Sequence, residues 1–176
     1  MITEKMLSAL NDQVNAELFS AYLYMAMSAD FTDKNLMGFA NWMKVQAQEE
    51  MTHAMKFYNF ILERGGRADL MAVEKPQAEW KTPLAAFEAA YAHEQMITGR
   101  INSLVELARS EKDPATESML NWFVDEQVEE EANADELAQK LKMIGDDKGA
   151  IFFIDQELKQ RVFVDSTQTT QANTQQ

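Results

Sequence analysis

The chain of 176 residues has no cysteine, only three prolines and six glycines, and no long apolar run. The absence of cysteine excludes disulfides, thiolate zinc sites, iron–sulfur clusters and cysteine nucleophiles. The scarcity of turn-forming glycine and proline favours an all-α protein. No stretch approaches the roughly 18 apolar residues of a membrane span, and the N-terminus lacks a signal-peptide pattern. We therefore expect a cytoplasmic protein that does not associate with membranes.

Basic residues are also scarce. Lysine and arginine total 16 against 29 acidic residues, which gives a formal net charge of −13 and an isoelectric point near 4.5. A strongly acidic protein repels nucleic acids and anionic membranes and raises the local concentration of cations. We therefore expect no nucleic-acid partner and a preference for cationic ones.

Apolar residues recur with a period of about 3.6 residues over four long segments. The predicted helices cover residues 3–30, 32–64, 83–111 and 114–144, with a short fifth helix at 150–161. Each long helix begins with residues that can cap its N-terminus, and in two of them proline takes the first helical position. These capping residues are Thr3, Thr32 with Asp33, Thr82-Pro83 and Asp113-Pro114.

The lengths of the connections predict how the helices pack. The connections between helices one and two and between helices three and four are short, so each pair should form an antiparallel hairpin. Residues 66–81 show little periodicity and are long enough to join the two hairpins. The predicted fold is an all-α four-helix bundle with a long crossover between helices two and three, in one domain of residues 1–162. The polar tail, residues 163–176, is predicted to be disordered.

Each apolar stripe is interrupted by polar residues near the middle of its helix. In chain order, these residues are Glu17, Glu50 with His53, Glu94, and Gln127 with Glu130. Glu17 and Glu50 lie 33 residues apart, as do Glu94 and Gln127, and a shift of 77 residues carries the first hairpin's pattern onto the second. If the hairpins pack face to face, all these side chains meet at one level of the core.

Converging carboxylates require positive charge, because each buried unpaired ion costs several kcal/mol. The four glutamates sum to −4, which two divalent cations balance. Oxygen ligands with one imidazole and no thiolate suit iron or manganese better than a structural zinc site. Taken singly, each glutamate is explained more simply if the buried face of its helix has been assigned one position away from the true one. His53, taken singly, is explained more simply as a hydrogen-bonded histidine of the core. A non-enzymatic helical interaction protein with acidic faces is the alternative for the whole chain.

One residue and three segments of the sequence resemble those of the ferritins: Glu17, EEMTH (49–53), YAHEQ (91–95) and DEQVEEE (125–131). The similarity is greatest to the haem-free bacterial ferritins and covers about residues 3–162. It implies a ferritin-like bundle whose di-iron ferroxidase centre oxidises Fe(II) with O₂ or peroxide. It also implies iron storage as a mineral in a homo-oligomeric shell of 24 subunits, with the fifth helix near the four-fold axis.

The resemblance also implies a role for each interrupting residue. Glu17 and His53 would bind one iron, Glu94 and Glu130 the other, and Glu50 would bridge them, with Gln127 as a weak ligand or a support for one. A third iron site would use Glu49, Glu126 and Glu129 and share Glu130; a solvated acidic face is the alternative explanation of these three. Tyr24 lies where ferritins carry a tyrosine beside the di-iron site, and it would either donate an electron or hydrogen-bond a ligand. Trp122, on the same helix as Gln127, is a second candidate electron donor, although core packing explains it more simply.

One difference from the bacterioferritins, which share the fold, and one similarity to them bear on this interpretation. Bacterioferritins carry two Glu-x-x-His motifs, whereas here the second motif ends in Glu130. Met51 stands where bacterioferritins have their haem-ligating methionine, but packing against a neighbouring chain explains it as well, and no haem is expected. The alternatives left open are a bacterioferritin-like haem protein and a di-iron oxidase or peroxidase that retains its irons as a cofactor.

Overall fold

Five α-helices and one 3₁₀ turn make up the computed structural model, which describes residues 2–168. They are α1 (Glu4–Asp33), α2 (Met37–Glu63), α3 (Pro83–Ser110), α4 (Pro114–Ile144), α5 (Lys148–Leu158) and the 3₁₀ turn Ser166–Gln168. α1 pairs with α2 and α3 with α4, and residues 64–82 form the crossover. The predicted fold class is confirmed. Of the predicted tail, residues 169–176 lie outside the described part of the chain.

None of the helices within residues 2–168 is both long and apolar enough to span a bilayer. Three of the predicted N-terminal caps are present. The side chains of Thr3, Thr82 and Asp113 accept hydrogen bonds from backbone N–H groups in the first turns of α1, α3 and α4. The cap predicted at Thr32 and Asp33 is wrong, because both residues continue α1.

Helix α2 is capped by a distant residue. Leu36, which precedes it, offers no capping side chain. Instead the carboxylate of Asp155 in α5 accepts hydrogen bonds from the backbone N–H groups of Gly38 (2.6 Å) and Phe39 (3.3 Å). The negative charge lies at the positive end of the α2 dipole, where it stabilises the helix. A Cβ atom at Gly38 would lie 1.6 Å from the Asp155 carbonyl oxygen, so only glycine allows α5 to approach this closely.

The crossover is fixed to α1 by side-chain amides one helical turn apart. Asn11 donates to the Arg67 carbonyl oxygen (3.2 Å) and accepts from the Asp69 N–H (2.8 Å), and Asn15 donates to the Ala72 carbonyl oxygen (3.2 Å). Near its end, buried Trp80 packs into the core. The crossover therefore lies along the first hairpin and brings the second into register with it.

The apolar core is divided into two clusters. One, around Phe31, Phe39 and Phe87, lies towards the α5 end of the bundle. The other, around Phe57 and Phe123, lies towards the opposite end. Buried polar residues from α1 to α4 occupy the level between them: Gln13, Glu17, Ser20, Gln46, Glu50, His53, His93, Glu94, Gln127 and Glu130. The bundle thus surrounds a polar layer with apolar ends.

The contact between α5 and α2 predicts a large effect of a small substitution. Gly38→Ala should force α5 away from α2, break the hydrogen bonds to Asp155 and destabilise the fold by about 1–3 kcal/mol, the usual cost of leaving a buried polar group unsatisfied. Chemical denaturation monitored by circular dichroism measures the loss. Gly99→Ala in α3 is the matched control, because a Cβ there meets no atom within 4 Å. It should be neutral or stabilising, and equal effects of the two substitutions would contradict the packing argument.

Candidate metal centre

The structure brings all six residues that interrupt the stripes into the buried polar layer. Their exposed fractions range from 1% for Glu17 and Glu94 to 7% for Glu130. Each lies near the middle of its helix, where the neighbouring turns are apolar and keep water out. Carboxylates in such surroundings are strong ligands for cations, since few other partners are available.

One group of ligand atoms comes from the first hairpin. Atoms of Glu17, Glu50 and His53 all lie within 4.8 Å of one another. His53 Nδ1 lies 3.4 Å from Glu50 Oε2. The Oε2 atom of Glu17 is buried and accepts no hydrogen bond from any residue between 2 and 168. Two carboxylates and one imidazole therefore form a set that can hold a cation, with an oxygen that lacks a competing donor.

A second group draws on α4. Ligand atoms of His53, Glu126 and Glu130 also lie within 4.8 Å of one another, with His53 Nε2 3.9 Å from Glu126 Oε2. Glu94 belongs to neither group, and its carboxylate accepts hydrogen bonds from the Tyr24 hydroxyl and from Gln127 Nε2 (3.3 Å). The two groups share His53 and lie side by side across the bundle.

The three carboxylates predicted for a third iron site are less closely gathered. Glu126 faces His53 and also accepts a hydrogen bond from the Ser166 hydroxyl (3.3 Å). Glu49 is ion-paired with Arg161. Glu129 is exposed on α4. Of the three, only Glu126 joins a ligand group, so the third site stays a prediction.

The two predicted electron donors both lie against the polar layer. Tyr24 is fully buried and donates to Glu94, while the Trp122 ring makes an edge contact with the His53 ring at a centroid distance of 5.5 Å. The Nζ atom of Lys56 lies 4.3 Å from the centre of the Trp122 ring. Met51 is 43% exposed on the outer side of α2.

Sequence reasoning missed two buried glutamines that hydrogen-bond the candidate ligands. Gln13 donates to Glu17 Oε1 at 2.8 Å, and Gln46 donates to Glu50 Oε1 at 3.1 Å and also to Glu130. Each lies one turn before the glutamate of its own helix. The 33-residue spacing between Gln13 and Gln46 is the same as that between their glutamates, so the repeat that revealed the carboxylates could have revealed the amides.

Each of these glutamines is held in turn by an arginine. Arg100 Nε donates to Gln13 Oε1 at 3.0 Å, and an Arg161 Nη atom donates to Gln46 Oε1 at 2.9 Å. Because the amide oxygen faces the arginine, the amide NH₂ group faces the carboxylates. No local sequence signal marks either arginine.

The second histidine has a separate role. His93 precedes Glu94 in α3, and its Nε2 atom lies 2.7 Å from the Ser20 hydroxyl. Its ring packs against Phe19 and Tyr24. Burial lowers the pKa of His93, which favours the neutral form at physiological pH. It is a hydrogen-bonded core residue.

Without cations, the polar layer retains protons. Burial, followed by the charge of Glu50, raises the pKa values of Glu17 and Glu130 to about 8 and that of Glu94 well above its usual range. Burial alone would lower the pKa of His53, but its contact with Glu50 and the nearby carboxylates raise it to about 10. The same contact overcomes burial at Glu50 and lowers its pKa. Protons therefore supply the charge balance that bound cations would replace.

The fold and the ligand set define a class of proteins, the ferritin-like bundles with a carboxylate-rich metal centre in the core. A family model described as a ferritin-like domain matches residues 7–144. The chain belongs to the ferritin family.

Its relatives include the bacterial non-heme ferritins, as the resemblance implied. The chain is 45% identical over 161 residues to that of Bacteroides fragilis (strain 638R), covering 92% of this chain and 100% of the relative. It is 44% identical over 163 residues to that of Staphylococcus aureus (strain MRSA252), covering 93% and 98%.

Among solved structures, an open pore ferritin from the archaeon Archaeoglobus fulgidus shares 56% identity with a TM-score of 0.91, covering 92% of this chain and 100% of that one. A closed form of the same organism's ferritin, made by site-directed mutagenesis, shares 55% identity with a TM-score of 0.92, covering 93% and 100%.

The raised pKa values predict that metal binding releases protons. At pH 7 the carboxyl groups of Glu17 and Glu130 are mostly protonated, since their pKa values are about 8. Redox-inert Zn²⁺ must displace these protons, so its apparent affinity should rise as the pH is raised from 6 to 8. Isothermal titration calorimetry in buffers of different ionisation enthalpy counts the protons released.

Glu17→Gln should reduce both the number of protons released and the affinity for Zn²⁺. Glu106→Gln removes an exposed carboxylate of α3 outside the centre and should change neither. Zinc binding that is independent of pH over this range would contradict the charge balance described above.

Proposed function

We propose that this protein is an iron-storage ferritin that oxidises Fe(II) at the buried centre and passes Fe(III) to a mineral core inside an oligomeric shell. The observation that carries the proposal is the convergence of Glu17, Glu50 and His53 with Glu130 in a water-poor layer of a ferritin-family bundle. Membership of the family supports the storage of iron.

Each side chain has a defined task in this proposal. Glu17 and His53 bind one Fe²⁺, Glu94 and Glu130 bind the other, and Glu50 bridges the two. Glu94 must then release the hydrogen bonds that it accepts from Tyr24 and Gln127, or retain one of them with its second oxygen.

The redox chemistry is balanced by pairs of iron. Two Fe²⁺ ions lose one electron each, and with two protons these electrons convert O₂ into H₂O₂. Where H₂O₂ is the oxidant, the two electrons of another pair of Fe²⁺ ions, with two further protons, convert it into two waters. Tyr24 and Trp122, which contact Glu94 and His53, are placed to supply further electrons. The second iron has no imidazole of its own, which favours its passage to storage over permanent retention.

Exposed apolar surface supports assembly into a shell, which we expect to contain 24 subunits. Phe152 and Phe153 of α5 are 58% and 73% exposed, an unusual position for two adjacent aromatic rings on an isolated chain. We expect this helix to lie near the four-fold axis, as the resemblance to ferritins implies. Burial of the rings between subunits would remove this apolar area from water.

Aerobic addition of Fe(II) to the purified protein tests the proposal. Rapid oxidation followed by retention of many more irons than the centre can hold, within a large soluble particle, is the expected result. Glu17→Ala and His53→Ala should each slow the initial oxidation by about 10²-fold or more by removing a ligand. Particle size should stay unchanged. Glu106→Ala serves as the surface control.

Two outcomes would overturn this function. An initial rate of Fe(II) oxidation that is unchanged in Glu17→Ala would show that oxidation does not take place at this centre. A chain that holds only two irons and never forms mineral would instead indicate an oxidase or peroxidase that retains them as a cofactor. A Soret absorption band on addition of haem would favour the bacterioferritin-like alternative at Met51.

Assembly can be tested separately from oxidation. Phe153→Asp places a charge where the proposal buries an aromatic ring, so the particle should become smaller or dissociate, as measured by analytical ultracentrifugation. The metal centre lies in the core of a single chain, and its binding of two Zn²⁺ should therefore persist. An intact large particle would show that α5 does not contribute to the shell through this residue.

A further inference from the structure

We propose that Arg161 controls cation binding at the metal centre in two ways. Its ion pair with Glu49 weakens the third cation position, and its hydrogen bond to Gln46 orients the amide of that residue towards the iron ligands. The inference rests on the proposed function, because it concerns how the same carboxylates share cations. Arg161 is a positioning residue, since it contacts ligands and their supports but not the site of oxidation.

The guanidinium of Arg161 is fixed by several contacts with α2. It is ion-paired with Glu49, and it donates to the Gln46 side chain (2.9 Å) and to the Trp42 carbonyl oxygen (3.3 Å). Its central carbon lies 4.4 Å from the centre of the Trp42 ring. The backbone carbonyl of Arg161 accepts from Asn41 Nδ2 at 2.9 Å. A planar guanidinium stacked on an aromatic ring is already ordered for these hydrogen bonds.

The consequence for Gln46 concerns the direction of its amide. A side-chain amide can turn by 180°, which exchanges its oxygen and its NH₂ group. Because Arg161 can only donate, it holds the oxygen of Gln46 and leaves the NH₂ group to donate to Glu50 and Glu130. In the reversed orientation the amide oxygen would face carboxylate oxygens and repel them. Arg161 therefore acts on both carboxylates without touching either.

The consequence for Glu49 concerns charge. A third cation bound by Glu49, Glu126 and Glu129 would have to share Glu49 with a guanidinium, and the two positive charges would repel each other. Side chains of Glu49 and Arg161 are only 18% and 20% exposed, so solvent screens this repulsion incompletely. The chain thus carries its own monovalent competitor for the third position, and cations should fill the first two positions before the third.

Arg161→Gln tests both consequences. Removal of the competitor should tighten the third cation position by about tenfold or more, which corresponds to about 1.4 kcal/mol. Calorimetric titration with Zn²⁺ counts the binding steps, and crystals soaked in Zn²⁺ show by anomalous scattering whether an ion lies beside Glu49. Arg161→Lys, which keeps the charge, should restore the weak third position.

Arg67→Gln is the matched control. It removes one positive charge from an exposed position on the crossover and should leave the third position as weak as in the unchanged protein. Adding Glu49→Gln to Arg161→Gln should abolish the gain in affinity for the third cation, because Glu49 is the ligand that the loss of Arg161 makes available. Gln46→Ala should weaken binding at the first two positions, because Glu50 and Glu130 lose the donated hydrogen bonds.

The outcomes separate this inference from the proposed function. If Arg161→Gln and Arg67→Gln bind the third cation equally, Arg161 does not control the position, and the inference fails even though two cations still bind at the centre. If Glu17→Ala binds as many cations as the unchanged protein, the centre itself is wrong. If thermal denaturation shows that Arg161→Gln folds poorly, Arg161→Lys with and without Glu49→Gln decides whether residue 161 controls the third position. An electrostatic role requires Arg161→Lys to bind the third cation as weakly as the unchanged protein.

Discussion

The structure depends on how four buried carboxylates are compensated between two apolar clusters. Burial of an uncompensated charge is costly, and these glutamates lie within reach of one another, so they cannot all ionise without added positive charge. Protons and hydrogen bonds can meet this requirement, and burial accordingly raises the pKa values of Glu17, Glu94 and Glu130. Two divalent cations meet it equally well. Metal binding is therefore coupled to the loss of protons from these carboxyl groups.

The rest of the fold serves to bring this layer together. Four helices of 27 to 31 residues are long enough to place an apolar cluster on each side of the polar level. The crossover, fixed by Asn11 and Asn15, sets the second hairpin against the first. Asp155 attaches α5 to the start of α2. The same attachment brings Arg161, three residues beyond α5, to the edge of the layer.

Much of this could be predicted from the sequence, because helical periodicity identifies the inward face and an acidic residue on that face is conspicuous. Periodicity does not reveal which distant residue completes an interaction. Asp155 caps α2 from 117 residues away, whereas the nearby Thr32 and Asp33 do not. Gln46 and Arg161 were missed for the same reason, since a neutral amide on a stripe gives a weak signal and its partner lies outside every predicted stripe.

The sequence repeat between the hairpins also explains why the two halves of the centre differ. The positions 77 residues after Gln13 and Gln46 are Ala90 and Phe123, both buried and apolar, so the second hairpin has no amides equivalent to those of the first. Its carboxylate Glu94 instead accepts hydrogen bonds from groups that a cation can displace. The first hairpin supplies the imidazole and fixed amide donors. In the proposed centre, a cation in the first half would therefore be held by ligands that are already in position, whereas one in the second half would have to rearrange its ligands to bind and to leave.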